Sequence, residues 1–203
     1  QIRNGKITAV GDMADCPVQK GGDGVICANG NPVLPGIIEA HCHMGITEEK
    51  KGMEGDDCNE SVEPITPYLR AIDAINPMDA AFDDALRAGI TSAMVGPGSS
   101  NVVGGQFAFI KTHGRCIDRM IVKAPAAMKV AFGENPKVNF SGQNISPATR
   151  MAIAAMLREE LFKAQEYQRK RKENPEQEKD FRYECWLPVL EGRIPLKAHV
   201  HRA

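Results

Sequence analysis

The run Leu34-Pro-Gly-Ile-Ile-Glu-Ala-His-Cys-His43 constrains the fold more than any other segment. A Pro-Gly turn opens it and a short, mostly apolar stretch follows, the pattern of a strand buried on both faces. A Gly- and acid-rich loop then runs from Met44 to Glu63. Asn76-Pro77 supplies a cap residue and a proline at the first helical position, and Gly89 closes the helix. Ile90-Thr-Ser-Ala-Met-Val95 reads as a second buried strand. Strand, loop, helix, strand is a βα unit, and repeated βα units imply a parallel sheet or barrel.

Ahead of this unit, Ile2 to Val10 alternates loosely around Asn4-Gly5, a strong hairpin signal, and further strands are predicted around Val25 to Ala28 and near Val33. Beyond it, Gly96 to Gly105 is a glycine-rich loop without the G-K-[ST] ending of a phosphate-binding loop. It reads as a turn at a strand's C-terminal end that lets a ligand approach the backbone. Gln106 to Lys111 and Met120 to Lys123 read as short strands of an excursion, and Ala126 to Phe132 as a third core strand, followed by Gly133-Glu-Asn-Pro136. A long helix is predicted from Ser146-Pro147 to about Glu173, with Met151, Ala154, Ala155, Leu161 and Phe162 on its apolar face. Its basic tail, Arg169-Lys-Arg-Lys172, suits the solvated C-terminus of a helix. A second helix from about Glu176 to Glu191 and a last strand, Ile194 to Val200, complete the reading.

Two hundred and three residues, 42% of them hydrophobic, are enough to bury a sizeable core. No apolar run reaches the 18 residues of a bilayer span, so no membrane partner is expected. With 25 Lys+Arg against 26 Asp+Glu there is no electrostatic footprint for a nucleic-acid backbone, and a small-molecule or peptide substrate fits better. Six cysteines lie far apart with no C-x-x-C, which points to the reducing cytoplasm rather than to a disulfide framework or a zinc ribbon.

Four of the five histidines form two H-x-H pairs, His41/His43 and His199/His201, each at the C-terminal end of a predicted strand. Residues i and i+2 of a strand point to one face with Cα atoms ~6.6 Å apart, close enough for both imidazoles to converge on one ion. Imidazole suits zinc, nickel and iron alike. The plainer reading makes each pair an accident of core or surface; two pairs at equivalent strand ends favour a site, because βα proteins build their sites there.

Ile2-Arg-Asn-Gly-Lys-Ile-Thr-Ala-Val-Gly11, Leu34-Pro-Gly-Ile-Ile-Glu-Ala-His-Cys-His-Met-Gly45 and Ala85-Leu-Arg-Ala-Gly-Ile-Thr-Ser92 together resemble the metal-dependent amidohydrolase superfamily, in particular its imidazolonepropionase-like members. The likeness spans most of the chain. It implies an α/β protein: a partial (β/α)8 TIM-like barrel from residue 35 to 203, with part of a small N-terminal β-sandwich in residues 1–34. It also implies a centre of one or two divalent ions, zinc first, with iron, nickel or manganese as alternatives, whose bound hydroxide attacks a C–N bond in a cyclic amide or small peptide. By position, His41 and His43 match the strand 1 ligands and His199 the strand 5 ligand. His201 stands where relatives vary, touching substrate or orienting a ligand.

Relatives that deaminate, and imidazolonepropionase itself, carry H-x-x-E on strand 5, whereas Arg202 occupies that place here. This argues against both activities and favours the dipeptidase-like branch. Binuclear members bridge their metals with a carboxylated lysine or a glutamate, for which Lys129 and Glu134 are the candidates. The plainer reading makes Lys129 a solvated or snorkelling lysine and Glu134 a loop residue. Cys42, between two inward histidines, is expected to pack as a buried thiol, and His113 to be exposed. A full barrel needs ~250 residues, so the chain reads as the N-terminal portion of a longer enzyme, with the general base beyond Ala203. The rival expectation is a non-catalytic metal-binding fragment, and a homo-oligomer covering an open sheet edge is a further one.

Overall fold

The structure, a computed structural model, describes residues 1–12, 14 and 24–202. They fall into two compact units, Gln1–Pro35 and Gly36–Ala203. In the first, β1 (Ile2–Arg3) and β2 (Lys6–Ile7) form the expected antiparallel hairpin, with Asn4 and Gly5 both at positive φ (53° and 72°), as a tight primed turn demands. The strands expected around Val25 and Val33 are not formed. Those residues lie in turns and irregular segments, with Ile26 94% exposed and Val33 84% exposed. Without a neighbouring strand among the described residues their β propensity has nothing to pair with.

The second unit is built on a five-stranded sheet in the order β3 (Ile37–Cys42), β4 (Ile90–Val95), β5 (Val103–Lys111), β6 (Ile121–Gly133), β7 (Leu196–His201). The pairs β3/β4 and β6/β7 are parallel, as βα units require. The predicted excursion is instead the antiparallel middle of the sheet. Residues 96–102 and 112–120 are connections too short for a crossover, so β5 and β6 must return beside the strand before them. The two stretches expected at Met120 to Lys123 and Ala126 to Phe132 are one continuous strand.

Helices cover the outer face of this sheet. Ala93 and Val95 of β4 and Ala108 and Ile110 of β5 pack with Ile46, Ala71, Ile75, Phe82 and Met120, which come from the loop after β3, α1 (Ala71–Ala74), α2 (Ala80–Arg87) and α3 (Ile117–Met120). Helix α2 starts at Asp79, not Asn76. Asp79 accepts from Ala81 N, while the Asn76 side chain is engaged by Met78 N and Glu48 and closes a turn. Gly89, at φ +83°, ends the helix as expected.

Met128 and Val130 of β6 pack with Ile153, Leu157 and Ala164 of α5 (Arg150–Glu173) and with Trp186. Thr149 caps α5 through Ala152 N, but the buried face is Ile153, Leu157, Glu160, Ala164 and Tyr167, while Met151 and Phe162 are exposed. A glutamate holds a core position because Arg182 Nε (3.0 Å) and Trp186 Nε1 (3.1 Å) both donate to Glu160. The single helix expected from Glu176 to Glu191 is two short ones, α6 (Phe181–Glu184) and α7 (Leu187–Leu190), because Asp180 caps Arg182 N and opens a new helical start. The last short helix, α4 (Glu134–Ser141), follows β6 directly. Among the described residues no helix is long and apolar enough to cross a membrane.

Strand β3 is not buried on both faces. It forms an edge, Ile37 and Ile38 are more than half exposed, and only its C-terminal end, from Cys42, packs under the outer helices.

Candidate metal centre

The inner face of the sheet carries the candidate residues. Alternation along β3 and β7 sends His41 inward on one strand and Lys197, His199 and His201 inward on the other. The rings of His41 and His43 lie edge to face with centroids 5.3 Å apart, and those of His199 and His201 lie 6.3 Å apart. Strands β3 and β7 are opposite edges, yet Lys197 Nζ donates to the Ala40 carbonyl at 2.6 Å. The sheet is therefore curled into a half-barrel whose edges come within one side chain of each other, and the two histidine pairs face a common space.

Phe107 of β5 is the floor of that space. Its ring centroid is 5.4 Å from that of His41, 5.6 Å from Lys129 Nζ and 5.4 Å from Lys197 Nζ. Gly96 makes room for it: a Cβ on Gly96 would stand 2.3 Å from the Phe107 ring.

Lys129 is completely buried, which corrects its plainer reading as a solvated or snorkelling lysine. It sits in β6 beside Lys197 of β7, and among the described residues its Nζ has no hydrogen-bond partner. Burial pulls its pKa down to about 8, Cys58 partly offsetting and Lys197 adding to the fall. The Nε2 of His199 is likewise buried without a partner. Burial, with the nearby Lys129 and His201, lowers the His199 pKa. His41, although partly open to solvent, is lowered to about 4 by burial, Lys129, Lys197, His43 and His199. These imidazoles are therefore neutral, the form in which histidine binds a metal.

His43 differs. Its Nδ1 donates to the Gly96 carbonyl at 2.7 Å and its ring is hydrogen-bonded with Cys58. The Cys58 bond raises its pKa, burial works against this, and the Gly96 carbonyl adds to the rise. Burial alone would push the Cys58 thiol up, but its bonds to His43 and Thr47 bring it below the ordinary range.

Glu134 has no ion pair or hydrogen bond with Lys129, His41, His43 or His199 among the described residues. As the first residue of α4 it meets His201 Nε2 at 3.5 Å and Arg202 Nη1 at 3.4 Å. Among the described residues no three His, Cys, Asp or Glu side chains are already drawn around one point. What the structure offers is a set of neutral imidazoles from two strands, with a buried amine and a buried imidazole nitrogen each lacking a partner. Such a donor set fits a divalent ion of the zinc, nickel or iron type. His113 is exposed, as expected; Cys42, expected to be buried, is only half-buried where it packs against the outer core.

Cys58, Phe107 and Lys197 escape the sequence reading. The period of two along the last strand places Lys197 on the face of His199 and could have found it; Cys58 and Phe107 carry no such signal.

No family model matches the chain. Over 86% of its length it is 28% identical to the amidohydrolase tasK of Hapsidospora irregularis, of which the match covers 20%. It superposes on the crystal structure of an amidohydrolase from Thermotoga maritima MSB8 with a TM-score of 0.81 and 37% identity, over 91% of this chain and 51% of that one. The chain thus spans a fifth and about half of the lengths of these two relatives. Shared fold and shared sequence support an assignment of the chain to the amidohydrolase family.

Proposed function

We propose that the protein is a metal-dependent hydrolase of a C–N bond in a cyclic amide or small peptide, its half-barrel forming part of a (β/α)8 barrel and residues 1–34 part of a small β-sandwich. The observation that carries this reading is the pair of unpartnered buried atoms, Lys129 Nζ and His199 Nε2, on the face shared by His41 and Phe107. Buried polar groups are almost always satisfied, so two orphans in one place argue for a missing partner. His41, His43 and His199 hold the ion, zinc first, with iron, nickel or manganese as alternatives. A divalent ion held there supplies a water acidified to near neutral pH.

The chain's own residues prepare that site. The Gly96 carbonyl fixes the proton of His43 on Nδ1, and the Nε2 lone pair, engaged by Cys58 in the metal-free protein, is the one an ion would take. Lys129, brought down to about 8, keeps a fraction of its amine neutral near pH 7. A neutral amine can add carbon dioxide and release a proton, and the resulting carbamate would supply oxygen ligands to a binuclear centre, which a bare ammonium cannot do. Glu134, engaged by His201 and Arg202, serves on the substrate side rather than as the bridge. Arg202 at the position of the deaminases' glutamate supports the dipeptidase-like branch. The free thiols Cys27, Cys42, Cys58, Cys116 and Cys185 suit a cytoplasmic protein.

One observation favours a second reading, a metal-binding unit without catalysis. Among the described residues the Glu39 carboxylate accepts from the backbone N–H of His41, but no hydrogen bond brings a carboxylate general base to the imidazole of His41, His43 or His199. Metal analysis and hydrolysis of cyclic amides and dipeptides by the 203-residue chain and by a longer chain test both. Metal in both and hydrolysis in the longer chain alone is the expected result. Absence of divalent metal from the longer chain, or a His41→Ala variant with unchanged metal content and hydrolysis, would sink the proposal.

A further inference from the structure

We infer that Lys197 is a positioning residue of the metal centre, a clasp that sets the distance between the two histidine-bearing strands. Strands β3 and β7 are the outer members of the sheet and share no backbone pairing. Among the described residues, the hydrogen bond that joins these strands runs from Lys197 Nζ to the carbonyl of Ala40, at 2.6 Å. Ala40 immediately precedes His41, and Lys197 lies one pleat below His199. A single bond therefore couples the backbone that carries one ligand to the strand that carries another.

The side chain is held for the task. Lys197 stands opposite Lys129 in the β6/β7 register, and both ammonium groups lie over the same Phe107 ring. The ring face attracts the cation and aims the stem inward. The length of lysine then carries a donor across the concave face to the free edge of β3, where a shorter side chain would not reach. Strand β3 is paired on one side only, with β4, so without this bond its end is tethered by one ladder whose register already shifts between Glu39 and Cys42. The separation of His41 from His199 would then drift, and a metal site loosened in that way loses affinity.

This rests on the metal-binding reading, and the experiment separates the two. Lys197→Met keeps the stem and removes the donor; Lys197→Arg restores a donor. Amide hydrogen exchange of residues 37–42 in the metal-free protein, with the central strand β5 as the control for global stability, reads the clasp itself. Zinc affinity by competition with a chromogenic chelator reads its consequence. The expected result is faster exchange in β3 but not in β5 for Lys197→Met, zinc affinity about tenfold weaker, and recovery of both in Lys197→Arg. Unchanged β3 exchange in Lys197→Met overturns the clasp. Faster exchange with wild-type zinc affinity overturns its positioning role. A wild-type protein that binds no zinc defeats the metal reading and the positioning role together, while the exchange data still decide whether the clasp exists.

Discussion

His43 Nδ1 donates to the carbonyl of Gly96 at 2.7 Å, joining the residue that follows β3 to the one that follows β4. A carbonyl oxygen can only accept, so this bond assigns the proton to Nδ1 and leaves Nε2 a lone pair. Asparagine places an amide NH2 close to the position of Nδ1 and nothing at the position of Nε2. His43→Asn is therefore expected to unfold within about 1 kcal/mol of wild type in urea while losing zinc binding, whereas His43→Ala loses both. A His43→Asn protein with undiminished zinc affinity would remove His43 from the ligand set.

Lys129 makes a separate case, because its amine is buried with no hydrogen-bond partner among the described residues. Lys129→Met keeps the volume and removes the unsatisfied group, so the metal-free variant is expected to gain about 1–3 kcal/mol of stability. Its zinc stoichiometry is expected to fall, since a thioether cannot become a carbamate. Urea unfolding and metal analysis on the same samples give both numbers. A variant less stable than wild type would mean that the ammonium is satisfied in solution.

Acid should weaken the metal-free fold through His41. Its folded pKa of about 4 lies below the ordinary 6.5, so between these values the unfolded chain holds a proton that the folded chain does not. Stability is then fully present above pH 6.5 and is lost as pH falls toward 4, where the effect saturates. His199 is lowered too and acts in the same direction, while His43 is raised and opposes them. Thermal unfolding of His41→Gln from pH 7 to pH 4 is expected to show a shallower loss than wild type. Parallel profiles for the two proteins would contradict the low value.

Gly96 tests the floor of the site. An added methyl group at this position meets the Phe107 ring at 2.3 Å, and a fully buried ring cannot swing away freely. Gly96→Ala is expected to cost about 1–3 kcal/mol and to weaken zinc binding, because Phe107 supports His41. Stability and affinity should fall together; a stable variant with wild-type affinity would show that the ring has room to move.

Parts of this architecture are legible in the sequence for physical reasons. Strand β4 is an apolar run bounded by Gly89 and Gly96, and the Asn4-Gly5 hairpin is set by local turn chemistry alone. The inner face of the half-barrel is not legible. Lys129 alternates with Met128 and Val130, and Lys197 with Leu196 and Ala198, which is the pattern of a strand with one wet face. Only the curl of the sheet encloses that face, and curl depends on pairings between distant segments. Glu160 fails for the same reason: its partners Arg182 and Trp186 come from beyond the helix that carries it.

The late return of β7 has a kinetic consequence. Between Gly133 and Leu196 the chain builds α4 to α7 before Leu196 can pair with Met128. So distant a pairing needs loop closure before any contact rewards it, which places the docking of β7 late in folding. His199 travels on that strand, so the proposed ligand set is incomplete until the main barrier has been crossed. Zinc is then expected to slow unfolding and leave the refolding rate unchanged, a difference that stopped-flow urea jumps resolve. Refolding accelerated by zinc would instead place β7 in the folding nucleus. On this topology an ion bound as proposed would act as a latch on the finished fold, lengthening its lifetime without guiding its assembly.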